Sequence, residues 1–308
     1  MIYTLTLNPA IDYVLYSPEC IPGEINRSEN EKIYPGGKGI NVSAILKELG
    51  MQSVALGFCA GYTGTMLYEM LKSENIDSDF VMLPEGMTRI NVKIKSKLET
   101  DINANAPHVN SVSLEKLFKK LDLMVDGDTL VLAGSVPKSL SPTIYCDIMA
   151  LFKRKNIRFV VDATKDTLIA SLKYKPFLIK PNNFELCEIF GKNLENTHEI
   201  VAAAKELQKK GAQNVLVSLG SNGAILVCDD GNVYMSDAPK GKVINTTGAG
   251  DSMVAGFLAG YSKTEDYSYA LKLGLCCGSA TAFSESLASK DSIESLFNQA
   301  MIDVRNVE

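Results

Sequence analysis

Asn245-Thr246-Thr247-Gly248-Ala249-Gly250-Asp251 runs directly into Ser252-Met253-Val254-Ala255-Gly256-Phe257, a glycine turn that opens an apolar helix. Gly248 and Gly250 permit a tight turn whose backbone N–H groups converge on one point. The helix that follows adds unpaired N–H groups and the positive end of its dipole, which together make a ready anion site. Asp251, in the first helical turn, sets a carboxylate beside that site. Two readings fit at this level. An Asp at a helix start serves as an N-cap, worth about 1 kcal/mol. An anion cradle with a base at its rim equally suits phosphoryl transfer to a hydroxyl, a reaction governed by positioning and charge stabilisation.

The composition around this motif is that of an ordinary soluble globular protein. The 308 residues suffice for one large α/β domain or two small ones. A hydrophobic content of 46% and a charged content of 22% fall in the usual globular range. No stretch approaches the ~18 apolar residues of a membrane span. No basic segment followed by an apolar one opens the chain, and Asp12 interrupts it early, so an export signal is not expected. The seven cysteines are scattered and lack CxxC spacing, which reads as reduced thiols of a cytoplasmic protein. His108 and His198 are the only histidines, too few to favour a histidine metal site or a Ser-His-Asp triad. A net charge of −5 argues against bulk nucleic-acid binding, so an anionic ligand must be held by a few local basic groups.

Outward from the motif, strands and helices alternate along the chain. Tyr3, Leu5 and Leu7 alternate with Thr4 and Thr6 in an opening strand. Apolar faces at i, i+3, i+4, i+7 mark two helices, Val42-Ile45-Leu46-Leu49 and Leu114-Leu117-Phe118-Leu121. Gly50 closes the first, and Ser113 is placed to cap the second. Thr129–Leu132, Arg158–Val161, Phe177–Ile179 and Val215–Val217 read as buried parallel strands. Each ends in small or polar residues: Gly134-Ser135, Asp162, Lys180-Pro181-Asn182 and Ser218-Leu219-Gly220. In open parallel sheets the ligand crevice lies outside the carboxyl ends of the strands, and these four endings point to one crevice.

Two segments break the rhythm. Asp12–Tyr34 is long for a connection and carries Pro18, Pro22 and Gly23. Thr88–Lys95 alternates strictly, with Ile90, Val92 and Ile94 on one face and Arg89, Asn91, Lys93 and Lys95 on the other, as an antiparallel strand with one polar face does. That polar face is either solvent-exposed or the underside of a small sheet covering an anionic substrate.

Three further motifs carry chemistry, each beside a plainer alternative. Pro35-Gly36-Gly37-Lys38-Gly39-Ile40-Asn41 opens a helix with glycines that let a ligand approach the backbone, although glycines there also serve merely as a turn. It is not a Walker A loop, because Gly39 stands where Ser or Thr is required. Asn182-Asn183-Phe184-Glu185 enters a helix after a strand; Glu185 either holds Mg²⁺ through water or simply favours the helix dipole. Gly220-Ser221-Asn222-Gly223 reads as a hairpin turn before Ala224–Val227, with phosphate contact as the alternative.

Together these residues resemble the PfkB/ribokinase family of sugar kinases over essentially the whole chain. The likeness rests on Gly36-Gly37-Lys38-Gly39-x-Asn41, on Asn245–Asp251 running into Phe257, and on the order of Gly134-Ser135-Val136-Pro137 and Asn182-x-x-Glu185. Thr6–Tyr13, Tyr34–Ser43 and Thr88–Lys93 carry the nearest similarity, to the members acting on fructose 1-phosphate, with tagatose-6-phosphate kinases sharing most of the frame. The resemblance implies a single three-layer α/β domain over 1–308: a mostly parallel sheet with helices on both faces. It also implies a small β-sheet lid from two insertions, about 12–34 and 88–105, sometimes used as a dimer clasp.

The implied reaction is ATP-dependent phosphorylation of fructose 1-phosphate at C6 with Mg²⁺, the partners being small molecules rather than nucleic acid or membrane. By resemblance Asp251 is the base, and Gly248, Ala249 and Gly250 donate N–H groups to the developing charge. Asp12, Gly37, Lys38 and Asn41 bind the sugar. Arg89, whose planar fork suits phosphate, grips the existing phosphate with Arg27 and Lys38, and Ser135 joins the substrate side. Lys180, Asn182, Glu185, Ser218, Gly220, Gly223 and Thr247 lie toward the nucleotide, Glu185 holding the metal through water, and Ser279–Ser284 approach the adenine. The alternatives are another hexose-phosphate kinase of the family, or a non-catalytic sugar-phosphate or nucleotide sensor on the same fold.

Overall fold

The computed structural model describes residues 1–163, 165–299 and 304–307. A ten-stranded sheet forms the centre. Its strands are β1 (Ile2–Thr6), β4 (Ser53–Ala60), β5 (Val81–Leu83), β8 (Thr129–Ala133), β9 (Arg158–Asp162), β10 (Leu178–Ile179), β11 (Asn214–Ser218), β12 (Ala224–Val227), β13 (Val233–Ser236) and β14 (Arg305–Asn306). They are ordered β14-β13-β12-β11-β10-β9-β8-β1-β4-β5. From β5 to β11 all neighbours are parallel, and β12, β13 and β14 add an antiparallel edge. The apolar runs read as parallel strands pair as such, while Gly220–Asn222 forms a short 3₁₀ turn into the antiparallel β12.

Period-2 side-chain alternation divides the sheet between two cores. Leu130, Leu132, Val161, Ile179, Val215 and Val217 pack with α3 (Ser111–Leu121), α4 (Ile144–Leu151), α5 (Lys165–Ser171), α6 (Asn183–Phe190) and α7 (Thr197–Lys209). Val131, Val160, Leu178 and Leu216 face the other way, toward α1 (Lys38–Glu48), α8 (Ala249–Thr264), α9 (Tyr267–Ala282) and α10 (Lys290–Gln299). The result is helix on sheet on helix, as buried parallel sheets require. The α3 cap differs from expectation. Asn110 is the N-cap, and Ser113 donates its backbone N–H to the Asn110 side chain, because the helix starts three residues earlier than the apolar stripe announces.

α8 carries the motif and is buried all round from Asp251 to Gly260, against the sheet, α1 and α9. Glycines let α8 and α9 approach closely. A Cβ on Gly256 would come within 2.7 Å of the Leu273 carbonyl oxygen and of Cys277 Sγ. Ser252 Oγ and Thr281 Oγ1 share a hydrogen bond across the same contact, so the start of α8 is fixed in all directions.

A second sheet stands over the carboxyl end of β1, ordered β3 (Asn30–Gly36), β2 (Ala10–Tyr16), β6 (Arg89–Lys95), β7 (Thr100–Asn103). β2 and β6 run parallel, while β3 and β7 pair antiparallel on either side. Ile11 packs with Ile40, Cys59, Leu67 and Leu71, joining this sheet to α1, β4 and α2 (Gly61–Ser73). Its faces are inverted relative to a solvent-exposed strand. Asn91 and Lys93 turn inward and are largely covered, whereas Ile33, Ile90 and Ile102 are 41%, 36% and 56% exposed.

Candidate active site

The motif delivers an uncapped helix N-terminus into the crevice. Gly248 is the N-cap with φ +80°, a left-handed conformation that an L side chain rarely adopts, and no side chain caps the helix. An added Cβ there would also meet Leu287 Cδ2 at 2.7 Å. Ser252 N–H returns to the Gly248 carbonyl oxygen, and Ala249 N–H makes a long 3.3 Å bond to that of Thr246. Ala249 is therefore partly engaged within the turn, while Gly250 and Asp251 direct their N–H groups to no acceptor among the described residues. α1 begins likewise: Gly37, at φ +136°, is its N-cap and no side chain caps it.

Asp251 is the third residue of α8 and not its cap. It is 6% exposed and accepts a 2.8 Å hydrogen bond from Asn41 Nδ2 of α1. Burial, reinforced by the nearby Asp162 carboxylate, pushes its pKa up to about 7 against the opposing pull of Lys38, Asn41 and Lys180. A carboxyl so placed exchanges a proton near neutral pH, which suits general base work.

Asp162, at the end of β9, is 2% exposed and holds two lysines. Lys38 Nζ lies 2.9 Å from Oδ1 and Lys180 Nζ 3.5 Å from Oδ2. Burial alone would raise the Asp162 pKa, but Lys180 and Lys38 hold it below the ordinary value. For Lys38 burial works against the charge, and Asp162 and Asp251 outweigh it, so the ammonium stays protonated above its usual range. A Cβ on Gly250 would stand 3.1 Å from Lys180 Nζ, which puts that cation directly under the glycine turn.

On the side of the second sheet, Arg89 donates through Nη2 to the Asn8 carbonyl oxygen at 3.0 Å, and Asn8 Nδ2 donates to Ser135 Oγ at 3.1 Å. Arg89 Nε and Asn8 Oδ1 are buried without a hydrogen-bond partner, and Arg89 makes no ion pair among the described residues. Burial lowers its pKa, with Asp12 opposing, as for a guanidinium short of an anion. Asp12 accepts from Asn91 Nδ2 at 2.9 Å and pairs with Lys93 Nζ at 2.9 Å. A cavity of about 340 Å³ opens beneath this face, bounded by Asp12 and Lys93 above, Asn41 and Ile45 of α1 below, and Thr247 and Leu287 at one end.

Residues expected toward the nucleotide gather at neighbouring strand ends. Asn182 and Ser218 form a bridge between adjacent strand ends, and Lys180 lies two residues before Asn182. Asn182 caps α6 in a capping box: Glu185 N–H donates to Asn182 Oδ1 while Glu185 Oε2 accepts from Asn182 N–H, both 2.8 Å. Among the described residues Glu185 Oε1 has no hydrogen-bond partner, and Asn183 Oδ1 is buried without one. Among the described residues no three metal-ligating side chains converge. That donor set fits a Mg²⁺ carried mainly by nucleotide phosphates and water, and not one caged by protein. Gly220 and Thr247 are exposed, and Gly223 is buried where an added Cβ would come within 1.9 Å of the Ser236 carbonyl oxygen.

One expected residue stands apart. Arg27 lies exposed in the β2–β3 connection, beyond Tyr16, whereas Arg89 pairs with Ala10 at the opposite end of β2. Seven strand residues separate those ends, about 20 Å. Within one chain the two arginines do not share a phosphate. Conversely, Asp162, Lys93 and Asn8 stand in the constellation without having been assigned a role there from the sequence. Asp162 had a local signal, a carboxylate ending an apolar strand; Lys93 and Asn8 depend on pairings that no spacing announces.

Comparison with known proteins bears on this arrangement. A profile described as pfkB family carbohydrate kinase matches residues 4–294. The chain is 42% identical to the 1-phosphofructokinase of Bacillus subtilis (strain 168), over 98% of its own length and 99% of the relative's. It is 35% identical to the D-tagatose-1-phosphate kinase of Bacillus licheniformis, over 98% and 99%. In three dimensions it matches phosphofructokinase-2 from Escherichia coli, solved in complex with substrates and products, at a TM-score of 0.92 and 28% identity, covering 96% and 98%.

Proposed function

The chain belongs to the pfkB family of carbohydrate kinases, and on that premise we propose that it phosphorylates D-fructose 1-phosphate at the C6 hydroxyl, with ATP as donor. The products are fructose 1,6-bisphosphate and ADP. The observation that carries this reading is Asp251, a buried carboxylate in no ion pair among the described residues, at the open end of α8, with a pKa near 7.

Asp251 takes the proton of the C6 hydroxyl as its oxygen attacks the terminal phosphorus and ADP leaves. The N–H groups of Gly250 and Asp251, with those of Gly248 and Ala249 where the turn frees them, face the charge that develops. Asp12, Asn41 and the Gly37 end of α1 orient the sugar ring. Arg89, with Ser135 and Lys38, holds the 1-phosphate; the unpartnered Nε and the lack of a carboxylate partner support that role. Lys180, Asn182, Ser218, Gly220, Gly223 and Thr247 line the nucleotide side. Glu185 would hold Mg²⁺ through water, and the metal would supply positive charge to screen the nucleotide phosphates. Exposed Val243 and Ile244 offer an apolar shelf for the base, with the N–H groups of Ile244 and Asn245 donating to the Ala282 carbonyl oxygen at the end of α9.

The second sheet acts in this reading as a lid over one kinase domain, its polar underside meeting a sugar phosphate and excluding water from the transfer. Its outer face carries a row of Ile33, Tyr13, Val92 and Ile102 in register across all four strands, and a second copy of the chain covers it in a homodimer. The cytoplasm remains the proposed compartment, supported by seven free cysteines. The D-tagatose-1-phosphate kinase relative favours one second reading, the C4 epimer of the same ketose 1-phosphate.

Asp251→Asn tests the reading directly. Loss of a general base costs roughly 100- to 10 000-fold in kcat, while the dissociation constant for fructose 1-phosphate stays within about twofold. Near-normal turnover of that variant refutes the assignment.

A further inference from the structure

Around the glycine turn of α8 stand two carboxylates, Asp162 and Asp251, and two ammonium groups, Lys38 and Lys180, all wholly or partly buried, yet they are not paired one to one. Both lysines sit on Asp162, Lys38 on Oδ1 and Lys180 on Oδ2, whereas Asp251 has only the neutral Asn41 amide. Reach does not explain this. Lys180 Nζ lies beneath Gly250, next in the chain to Asp251. The two lysines arrive from elements far apart in sequence, one opening α1 and one following β10. They meet only because β9, β10 and α1 converge on the crevice.

An ammonium resting on Asp251 would donate into the lone pairs that must take the proton of the acceptor hydroxyl. It would also stand where that hydroxyl has to lie. We propose that Asp162 is a positioning residue for the transfer: by engaging Lys38 and Lys180 together it keeps both cations off Asp251 while leaving them aimed at the crevice. The inference rests on the reading of Asp251 as the base. The charged groups acting on Asp251 are Lys38 from α1, Asp162 from β9 and Lys180 after β10, with Glu185 of α6 acting in turn on Lys38. α9 presents Gly278 and Thr281, neither titratable, to the same turn of α8.

Asp162→Asn keeps shape and volume and removes the competing charge, so a lysine turns to Asp251. In ¹³C-carboxyl-labelled protein the Asp251 resonance, identified by its loss in Asp251→Asn, titrates at lower pH than in the parent, by about one unit or more. The acid limb of kcat moves down with it, and kcat at pH 8 falls by about tenfold or more as the base is occupied. An Asp251 midpoint that is unchanged or higher in Asp162→Asn overturns the proposal, whatever happens to kcat. Should that variant not fold, Asp162→Asn combined with Lys180→Met balances the buried charge, and Lys38 then turns to Asp251. A midpoint at or above that of the parent there overturns it equally. Full activity of Asp251→Asn would instead defeat the reading beneath, leaving the carboxyl titration to judge Asp162 by itself.

Discussion

Asp251→Asn should make the protein more stable as well as inactive, and only above a certain pH. The Asp251 carboxyl is held above its ordinary value of 3.8, at about 7, by burial first and by Asp162 second. The unfolded chain therefore gives up this proton before the folded one does, and folding stability falls as pH rises from about 4 to about 7. Above about 7 the penalty is complete, and below about 4 it vanishes. At 1.36 kcal/mol per pKa unit, the difference between 3.8 and about 7 amounts to about 4 kcal/mol at most. The substituted amide keeps an oxygen for Asn41 Nδ2, so little is lost in exchange. At roughly 2 °C per kcal/mol, Tm of the variant exceeds that of the parent by several degrees at pH 8. Differential scanning calorimetry of both proteins from pH 4.5 to 8.5 measures it. The gap widens with pH and levels off above about 7. A gap that is constant with pH, or a variant less stable at pH 8, refutes the argument that Asp251 carries stored electrostatic cost for function.

Two other perturbations address the substrate side and the outer face. Arg89→Ala removes the guanidinium left without a carboxylate partner. Charge-assisted hydrogen bonds of roughly 1.5–3 kcal/mol correspond to a 10- to 100-fold rise in KM for the sugar phosphate, with KM for ATP unmoved. If steady-state kinetics shows only the nucleotide KM rising, Arg89 does not hold the substrate phosphate. Ile33→Asp with Ile102→Asp charges the exposed apolar row of the second sheet, and sedimentation velocity should then find monomer in place of dimer. An unchanged sedimentation coefficient rules out that face as the contact.

Local pattern carried much of this architecture. Thr129–Leu132, Arg158–Val161 and Val215–Val217 announce parallel strands through short, largely apolar runs, and their polar ends mark the crevice. Gly248 announces a turn because few other residues tolerate its φ of +80°, whereas Gly250 lies inside the first turn of α8 with no positive φ. What escaped the pattern depends on distant partners. The polar face of Arg89–Lys95 was equally compatible with solvent, and its burial follows from β2 pairing in parallel beside it and offering Asp12 to Lys93. The true α3 cap, Asn110, sits outside the apolar stripe that locates the helix. Asp162 looked like a strand end, and its hold on two lysines exists only once three elements meet. The resemblance implied Arg27 as a phosphate ligand, but the length of β2 carries it away from Arg89.

Product identity is the most direct test of the central claim. The purified protein is incubated with Mg-ATP and, in separate reactions, fructose 1-phosphate, tagatose 1-phosphate, fructose 6-phosphate and fructose, and each is followed by ³¹P NMR. The account predicts that fructose 1-phosphate is consumed with the highest kcat/KM and gains a second phosphate at C6, one ADP appearing for each. Equal or faster transfer to unphosphorylated fructose, a new phosphate at another carbon, or no transfer to any of the four would contradict it.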